Sequence, residues 1–238
     1  MKIVMKFGGT SVADAQKIGE VANIIAQKVK RGDSVIVVVS AMAGVTDSLV
    51  EVMKRAEEGD LNYINGFMKK IEEKHGEVIK SITDSDIREK ASQQVSNKLS
   101  ELKEVLTAIA HLKEATPRTR DFIISTGELL SAPIVTSKLN DIGVKAKYFS
   151  GGEAGIITDT NYGSANPLMD NIEDFVKKRL NPLIEEGTVP VVTGFVASTI
   201  NGHNSTRRST RIPREITDRC GDVHGSHPRG PSHDIVPA

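Results

Sequence analysis

The sequence predicts an α/β fold with a mainly parallel sheet. Strand-like and helix-like hydrophobic periods alternate along roughly the first 200 residues, as in parallel strands joined by helices. The run VIVVV at positions 35–39 is β-branched throughout, which is typical of a strand covered on both faces. Between the second and third predicted strands the chain has a long stretch with the helical period alone, and this predicts a helical insertion.

The first elements are a strand, a helix and a second strand. Residues 3–7 have the apolar character of a short strand. Residues 35–39 form the second strand, which we expect at the centre of the sheet. The helix between them is marked by four apolar residues at helical spacing before the turn sequence RGD: Ile18, Val21, Ile25 and Val29.

The middle of the chain predicts a hairpin of two long helices. Residues 61–112 carry it, and a further helix over residues 120–139 contains Pro133, where a kink is expected. The second helix of the hairpin has an apolar seam of five residues: Val95, Leu99, Leu102, Leu106 and Ile109.

The later part of the chain returns to alternating strands and helices. GVKAKYFS at 143–150 and TVPVVTGFV at 188–196 predict strands. An amphipathic helix is expected between them, over residues 167–186. We find no internal repeat in the sequence.

Residues 203–238 have a different composition from the rest. They contain no aromatic residue, no leucine and no lysine, but four of the six histidines and four of the nine prolines. Residues 1–202 use 19 lysines and six arginines, whereas residues 203–238 use six arginines. Because so few apolar residues cannot build a core, we expect a disordered tail and place a domain boundary after residue 202.

Charge, cysteine content and histidine spacing exclude several classes of function. The balance of 31 basic and 31 acidic residues gives no overall field to attract nucleic acid or a membrane. Cys220 is the one cysteine, so no intrachain disulfide forms. His224, His227 and His233 lack the spacing of a metal site, and we predict none. The opening MKIVMKFGG does not read as a secretory signal, so we expect a cytoplasmic protein.

The segment KFGGTS, at positions 6–11, follows the first strand and indicates an anion site. Where a parallel strand ends and a helix begins, backbone amides point outward and attract anions. Gly8 and Gly9 would allow close approach to those amides, Lys6 adds positive charge, and Thr10 and Ser11 add hydroxyl donors. The lysine precedes the glycines, so this is not a P-loop. A turn in which the glycines serve geometry alone explains the segment equally well.

KFGGTS and four further blocks together resemble the aspartokinases, which belong to the amino acid kinase family. The resemblance covers roughly residues 1–200 in the family's order and spacing. It implies a three-layer αβα sandwich with a mainly parallel sheet. The four further blocks are VVVSAMAGVTD at 37–47, RDFIISTGELLSAPI at 120–134, GGEAGIITD at 151–159 and VPVVTGFVAS at 189–198.

The resemblance implies transfer of the γ-phosphoryl group of ATP to the side-chain carboxylate of L-aspartate. The product would be 4-phospho-L-aspartate, for lysine, threonine and methionine synthesis. A carboxylate is already ionised at neutral pH, so catalysis reduces to positioning two anions and neutralising charge. ATP and Mg²⁺ are the implied cofactors, and L-aspartate and ATP are the implied partners. A homo-oligomer is also expected, whereas nucleic acid and membranes are not.

The resemblance also implies roles for individual residues. Lys6 is the expected catalytic residue, because its ammonium would neutralise the transferred phosphoryl group. The nucleotide would be contacted by Lys6, Phe7, Gly8, Gly9 and Ser40. The amino acid substrate would be contacted by Thr10, Ser11, Thr46, Glu128, Gly194 and Phe195.

Two of the hydroxyl residues have structural alternatives. Ser40 also suits a helix cap or a turn, and Thr46 suits the N-cap of the helix that follows it. His75 and His111 lie on long predicted helices and have no catalytic partner by spacing. We expect both to be solvated or structural.

Glu128 and Gly194 have alternatives as well. Glu128 lies between apolar residues of a packed helix, where a carboxylate needs a partner. That partner is either the substrate ammonium, by resemblance, or a salt bridge from Arg118 or Arg120. A β-hairpin turn would explain Gly194 equally well.

The resemblance ends near Gly202. Aspartokinases continue there with a threonine-leucine-glycine-arginine-glycine-glycine-serine-aspartate motif, and this chain has NGHNSTRRST at 201–210 instead. Arg207 and Arg208 lack the glycine context of the arginine expected to bind the substrate's α-carboxylate. We therefore expect a truncated amino-terminal portion of an aspartokinase joined to an unrelated tail, through a shifted reading frame or a gene-boundary error. By resemblance, the ATP-binding lobe and the regulatory domains that follow in the family are also missing, so activity of this chain alone is not implied. The alternative function is a noncatalytic fragment or interaction module.

Overall fold

The computed structural model describes residues 1–206, without the side chains of residues 170 and 171. It begins with strand β1, a short 3₁₀ helix, helix α1 and strand β2. Asp14 caps α1 by accepting a hydrogen bond from the Lys17 N–H. The bounds are Lys2–Phe7 for β1, Gly9–Val12 for the 3₁₀ helix, Ala15–Lys30 for α1 and Ser34–Val39 for β2.

Four helices follow β2 without an intervening strand. They are α2 (Val45–Glu57), α3 (Leu61–Lys80), α4 (Ser85–Leu112) and α5 (Pro117–Asp141). The remaining elements are β3 (Ala146–Phe149), α6 (Gly151–Ala154), β4 (Ile157–Thr158), α7 (Met169–Glu185), β5 (Val189–Thr193), β6 (Val196–Thr199) and β7 (Asn204–Thr206).

Four of these strands form a parallel sheet, here called sheet A, in the order β1-β2-β5-β3. The register pairs Lys6 with Val38 and Val39 with Thr193, so β1, β2 and β5 end at one edge. The predicted α/β class with a mainly parallel sheet is confirmed, and β2 lies inside the sheet as expected. This carboxyl edge is where ligands bind in open α/β sheets.

Helices cover both faces of sheet A and give three layers. Ile3, Met5 and Val37 belong to the main core, which α1 and α5 complete from one side. On the other side, Ile36 and Val192 pack with α7 in a smaller apolar cluster. Alternate residues of β1 and β2 therefore face different helical layers.

The predicted helical hairpin is confirmed as α3 and α4. Asp60 caps α3 and Asp84 caps α4 by accepting hydrogen bonds from backbone N–H groups. All five apolar residues of the predicted α4 seam are buried, with Leu102 and Leu106 at 0% exposure. The hairpin packs on α2 and α5.

The segment TVPVVTGFV forms two strands rather than one. β5 belongs to sheet A, whereas β6 belongs to a second sheet of order β4-β6-β7. The chain turns at Phe195, which has a φ of 59°. Hydrophobic periodicity cannot reveal this change of sheet, because both halves are apolar and extended.

Strand β7 lies within the segment that was predicted to be a tail. It pairs antiparallel with β6, so residues 204–206 are part of the second sheet. The expected domain boundary at residue 202 stays a prediction. The rest of the predicted tail, with Arg207, Arg208, Cys220 and the later histidines, lies outside the described residues.

His75 corrects one expectation. Its side chain is 0% exposed, so it is not solvated, and the structural role is the right one. The ring Nδ1 lies 2.7 Å from the Ile71 carbonyl oxygen, while Nε2 is buried and has no hydrogen-bond partner among the described residues. Burial lowers the pKa of His75 below its ordinary value.

None of the helices in residues 1–206 combines the length and the apolar character needed to cross a bilayer.

Candidate functional site

Backbone hydrogen bonds join the loops at the carboxyl edge of sheet A. The Ser40 N–H donates to the Phe7 carbonyl at 3.1 Å, and the Gly194 N–H donates to the Val39 carbonyl at 2.7 Å. The loops that follow β1, β2 and β5 are therefore held side by side. Such ties restrict the backbone before any ligand arrives, which is the preorganisation that a binding site needs.

The two glycines after β1 have different surroundings. A Cβ on Gly9 would lie 2.9 Å from the Ala41 carbonyl oxygen, so the turn packs directly on the loop after β2. Gly8 has no atom within 4 Å of its Cβ position and is exposed. A ligand can therefore approach the Gly8 backbone closely, while Gly9 is required by packing.

Helix α5 packs against the same loop. A Cβ on Gly127 would lie 2.7 Å from the Ala41 Cβ, and the Ser131 hydroxyl donates to the Ser40 carbonyl at 2.8 Å. The loop after β2 is therefore held between the glycine turn and α5. Ser40 is half-buried there.

Glu128, one residue after Gly127, is a buried carboxylate at this position. It is 5% exposed, and its Oε2 atom has no hydrogen-bond partner among the described residues. Burial raises its pKa to about 7, and backbone N–H groups, including that of Ala41, offset part of this effect. An incoming cation would supply the missing partner and favour the ionised form.

The salt-bridge alternative for Glu128 is wrong. The Arg120 guanidinium pairs with Glu57 at 2.6 Å. Arg118 lies 3.0 Å from His203 Nδ1. Within residues 1–206, neither arginine forms an ion pair with Glu128.

Lys6 approaches the carboxyl edge from the other side of sheet A. Its neighbour Met5 is buried in the main core, and Lys6 itself is exposed on the alternate face, beside Val38. Glu128 belongs to α5 on the main-core side. The structure thus places Lys6 and Glu128 at one edge but on opposite faces, rather than side by side on one face.

The remaining hydroxyl residues lie at the ends of the two loops. Thr10 is exposed and Ser11 is half-buried in the 3₁₀ helix after β1. Thr46 is half-buried in the first turn of α2, whose N-cap is Gly44, so the capping alternative for Thr46 is wrong. Ser40 does not cap α2 either.

Gly194 and Phe195 connect the two sheets at the carboxyl edge. A Cβ on Gly194 would lie 3.1 Å from the Val39 carbonyl oxygen, so a side chain at this position would be crowded against β2. The hairpin alternative is wrong, because β5 and β6 are not paired. Phe195 is 39% exposed at a positive φ, a conformation that is costly for a bulky residue and marks functional sites.

A cavity of about 340 Å³ lies between α2 and α3, beside the loop after β2. None of the predicted site residues lines it. Lys74 lines it and donates to the Ala43 carbonyl at 2.8 Å, which holds the loop from the helical side. In residues 1–206, no three His, Cys, Asp or Glu side chains are grouped as metal ligands.

Sequence reasoning missed the residues that hold the site together. Gly127 and Ser131 lie in the segment RDFIISTGELLSAPI, but the sequence analysis gave them no role. The Thr193 hydroxyl, which accepts a hydrogen bond from the Gly151 N–H at 2.8 Å, was also missed. Gly127 directly precedes Glu128 on a helix that was expected to be packed. A glycine at such a position could have indicated close packing of the helix at this point.

The chain has a three-layer fold around a parallel sheet, with a glycine turn and a buried carboxylate at the carboxyl edge of that sheet. This combination agrees with the family that the sequence matches. Residues 1–213 match the amino acid kinase family, and the chain belongs to that family.

Within that family, the similar relatives are aspartokinases. Aspartokinase 1, chloroplastic, of Arabidopsis thaliana is 33% identical over 196 residues, which are 81% of this chain and 33% of that protein. The aspartokinase of Geobacillus stearothermophilus is 29% identical over 204 residues, or 86% of this chain and 35% of that protein. The chain thus spans about a third of the length of these two relatives.

Solved aspartokinase structures share the fold. Escherichia coli aspartokinase III, in complex with aspartate and ADP in the R-state, is 26% identical with a TM-score of 0.75. The match covers 87% of this chain and 43% of that one. The T-state structure of the same enzyme, with lysine and aspartate, has a TM-score of 0.72 at 24% identity and supports the fold.

Proposed function

We propose that this chain provides the aspartate-binding and phosphate-facing part of an aspartate kinase. In that reaction a side-chain carboxylate oxygen of L-aspartate bonds to the γ-phosphorus of ATP, and the bond from that phosphorus to the β-phosphate bridging oxygen breaks. ADP leaves, and 4-phospho-L-aspartate forms. The observation that carries the proposal is Glu128, a buried carboxylate with an unpartnered oxygen at a glycine-lined sheet edge.

Glu128 would bind the ammonium group of L-aspartate. An ammonium donates to the unpartnered Oε2 and returns the carboxylate to its ionised form, because a nearby cation opposes the effect of burial. Thr46, Gly194 and Phe195 would contact the rest of the amino acid from the neighbouring loops. Phe195 has its strained backbone conformation in the turn after β5, at the carboxyl edge of sheet A.

Lys6 and the glycine turn would hold the phosphates. Lys6 presents an exposed ammonium, and Gly8 leaves its backbone open to close approach, so both fit an anionic donor. Phe7, Gly9 and Ser40 would complete this contact through the loops that their backbones join, with Thr10 and Ser11 beside the reacting groups. When bound, Mg²⁺ would enter with the nucleotide and neutralise phosphate charge.

The phosphates and the amino acid would be bound from opposite faces of sheet A. Lys6 stands on the α7 side and Glu128 on the α5 side, so a donor and an acceptor meeting along the edge would be flanked by both. No general base is required, because the attacking carboxylate is already ionised at neutral pH. The residues would contribute by orientation and by charge neutralisation.

The pathway follows from the aspartokinase similarity, whereas the cytoplasmic location is carried over from the sequence prediction, since several of the similar aspartokinases are chloroplastic. We assign the reaction to lysine, threonine and methionine synthesis in the cytoplasm, with a homo-oligomer as the expected assembly.

Calorimetry on the purified chain tests the proposal directly. We expect saturable heats with L-aspartate and, separately, with Mg-ATP. ADP release in a coupled assay, when both ligands are present, would show that the chain also catalyses the transfer. D-aspartate and L-alanine are the matched ligand controls. Absence of any L-aspartate binding would contradict the proposal.

The alternative is an interaction module without catalysis. It is favoured by β1, an edge strand of sheet A whose outward residue Val4 is 40% exposed. Binding of neither ligand, together with concentration-dependent self-association in sedimentation velocity, would support this alternative.

A further inference from the structure

Asp121 is a second buried carboxylate on α5. It lies seven residues before Glu128, two helical turns away, so both side chains project from one face of the helix. Asp121 is 1% exposed, and none of the roles described so far uses it.

Three donors from two distant segments bind Asp121. The Thr206 N–H donates to Oδ2 at 3.0 Å, and the Thr206 hydroxyl donates to Oδ1. The Gly163 N–H also donates to Oδ2, at 2.9 Å. Hydrogen bonds to a buried carboxylate are stronger than neutral ones, so this is a firm attachment.

The attachment reaches the Gly194–Phe195 turn through the second sheet. Thr206 pairs directly with Val196 across the β6–β7 hairpin, and Val196 follows Phe195 in the chain. A buried hydrogen bond of 2.7 Å between the Thr158 and Ser205 hydroxyls links the hairpin to β4. Movement of Thr206 away from α5 would therefore shift Phe195 relative to Glu128.

Gly163 joins a second ordered segment to the same carboxylate. Residues 159–166 form a loop closed by Asp159, which accepts hydrogen bonds from the Asn161 N–H and the Asn166 N–H. Asp121 thus fixes both this loop and the hairpin to one face of α5.

We propose that Asp121 is a positioning residue, which holds the β6–β7 hairpin and its preceding Gly194–Phe195 turn at the α5 face that carries Glu128. Its effect on L-aspartate affinity rests on the proposed function. Asp121 acts through Thr206 and touches no substrate atom.

Asp141 offers a matched control on the same helix. It also accepts two backbone hydrogen bonds, from the Thr83 and Asp84 N–H groups at 2.8 and 2.9 Å, and it pairs with Lys138. Its attachment lies at the far end of α5, away from the hairpin. Asp141→Ala therefore removes a similar set of bonds without releasing β7.

The experiment measures backbone hydrogen exchange of residues 194–206, and L-aspartate affinity by calorimetry, on the full chain. We expect Asp121→Ala to speed exchange in this hairpin at least about tenfold and to weaken L-aspartate binding about tenfold, with Asp141→Ala changing neither. Asp121→Asn should retain most of the exchange protection and most of the L-aspartate affinity. Its amide oxygen can accept from the two N–H groups, and the Thr206 hydroxyl can turn to accept from its NH₂ group.

Thr206→Val keeps the backbone bond and removes only the hydroxyl, so it answers the question if Asp121→Ala fails to fold. Intermediate exchange in Thr206→Val supports the proposal. Unchanged hairpin exchange in both variants, or an equal rise in Asp141→Ala, overturns it. If the parent chain binds no L-aspartate, the proposed function fails, and the exchange comparison still decides whether Asp121 positions the hairpin.

Discussion

In the α3–α4 hairpin, both helices begin at aspartate caps and bury regular apolar seams, whereas the carboxyl edge of sheet A keeps a buried carboxylate with an unpartnered oxygen. The edge also holds Phe195 at a φ of 59°. Conformations of this kind cost about 1–3 kcal/mol, and other parts of a fold must offset them. The hairpin has exceptions of its own, since His75 Nε2 in α3 is buried without a partner among the described residues and Lys113, the C-cap of α4, has a φ of 56°. What distinguishes the edge is that its unpartnered group is a carboxylate, which the cationic group of a ligand can neutralise.

Lys6→Met is expected to have the largest effect at the edge. Removing the charge that we propose to face the phosphates should slow phosphoryl transfer about 100- to 1000-fold, as loss of one transition-state donor typically does. The free energy of unfolding should change by less than about 0.5 kcal/mol, because the side chain is exposed. A coupled ADP-release assay and urea unfolding measure the two quantities.

Lys2→Met is the control for that change, since Lys2 is exposed on the same strand at the far end from the edge. An equal loss of rate in both variants would show that general charge, and not position at the edge, matters.

Glu128→Gln separates binding from stability. We expect L-aspartate affinity to fall about tenfold to 100-fold, because the substrate ammonium loses a charged acceptor. The free energy of unfolding at pH 8 should rise. The pKa of about 7, against an ordinary value of 4.5, means that ionising Glu128 destabilises the native state, and glutamine does not ionise. Calorimetry and urea unfolding at pH 5 and pH 8 check both results.

The sign of the pH dependence follows from the raised pKa of Glu128. Between pH 4.5 and 7 the native chain keeps a proton that the unfolded chain has lost, so this group lowers stability as the pH rises. L-aspartate affinity should instead increase with pH through about 7, because the ammonium binds the ionised carboxylate. A pH-independent affinity in the unmodified chain would contradict the role of Glu128.

Two helical glycines should respond to alanine with opposite signs. Gly127→Ala is expected to destabilise the fold by about 1–3 kcal/mol, since its Cβ would lie 2.7 Å from the Ala41 Cβ. Gly76→Ala in α3 has open space and should stabilise the fold by about 0.5–1 kcal/mol. Thermal and urea unfolding of the pair measure this, and equal effects would mean that α5 does not pack on the loop as described.

His75 gives the smallest expected effect. Its lowered pKa means that the unfolded chain binds a proton that the native chain does not, so stability falls as the pH drops below its ordinary pKa of 6.5. The slope is at most about 1.4 kcal/mol per pH unit for one group. Unfolding of His75→Leu between pH 5 and 7 should show a flatter profile, and an unchanged profile would show that another group titrates. His111→Gln, on an exposed residue, is the control.

The elements that the sequence predicted well are those with strong local patterns. The α4 seam and the β-branched run of β2 were predicted because periodicity and side-chain branching act within a few residues. The anion site at the glycine turn after β1 was predicted from its residues, whereas the individual roles of the candidate site residues came from the resemblance and stay predictions. Their physical setting, such as the unpartnered oxygen of Glu128, appears only in the structure.

Contacts between distant segments were not predictable. The division of TVPVVTGFV between two sheets, the burial of His75 and the attachment of Thr206 to Asp121 each depend on packing across the fold. Asp121 and Thr206 are separated by 85 residues, and no local rule joins them.

The sequence by itself determined the α/β class, the parallel strands and the glycine turn at the end of β1, because hydrophobic period and glycine placement are local properties. Tertiary structure alone decided that Lys6 and Glu128 lie at one edge on opposite faces of sheet A, and that Asp121 binds the backbone and the hydroxyl of Thr206. The physical reason is that burial and hydrogen-bond partners are set by non-local packing, which pairs residues far apart in the chain.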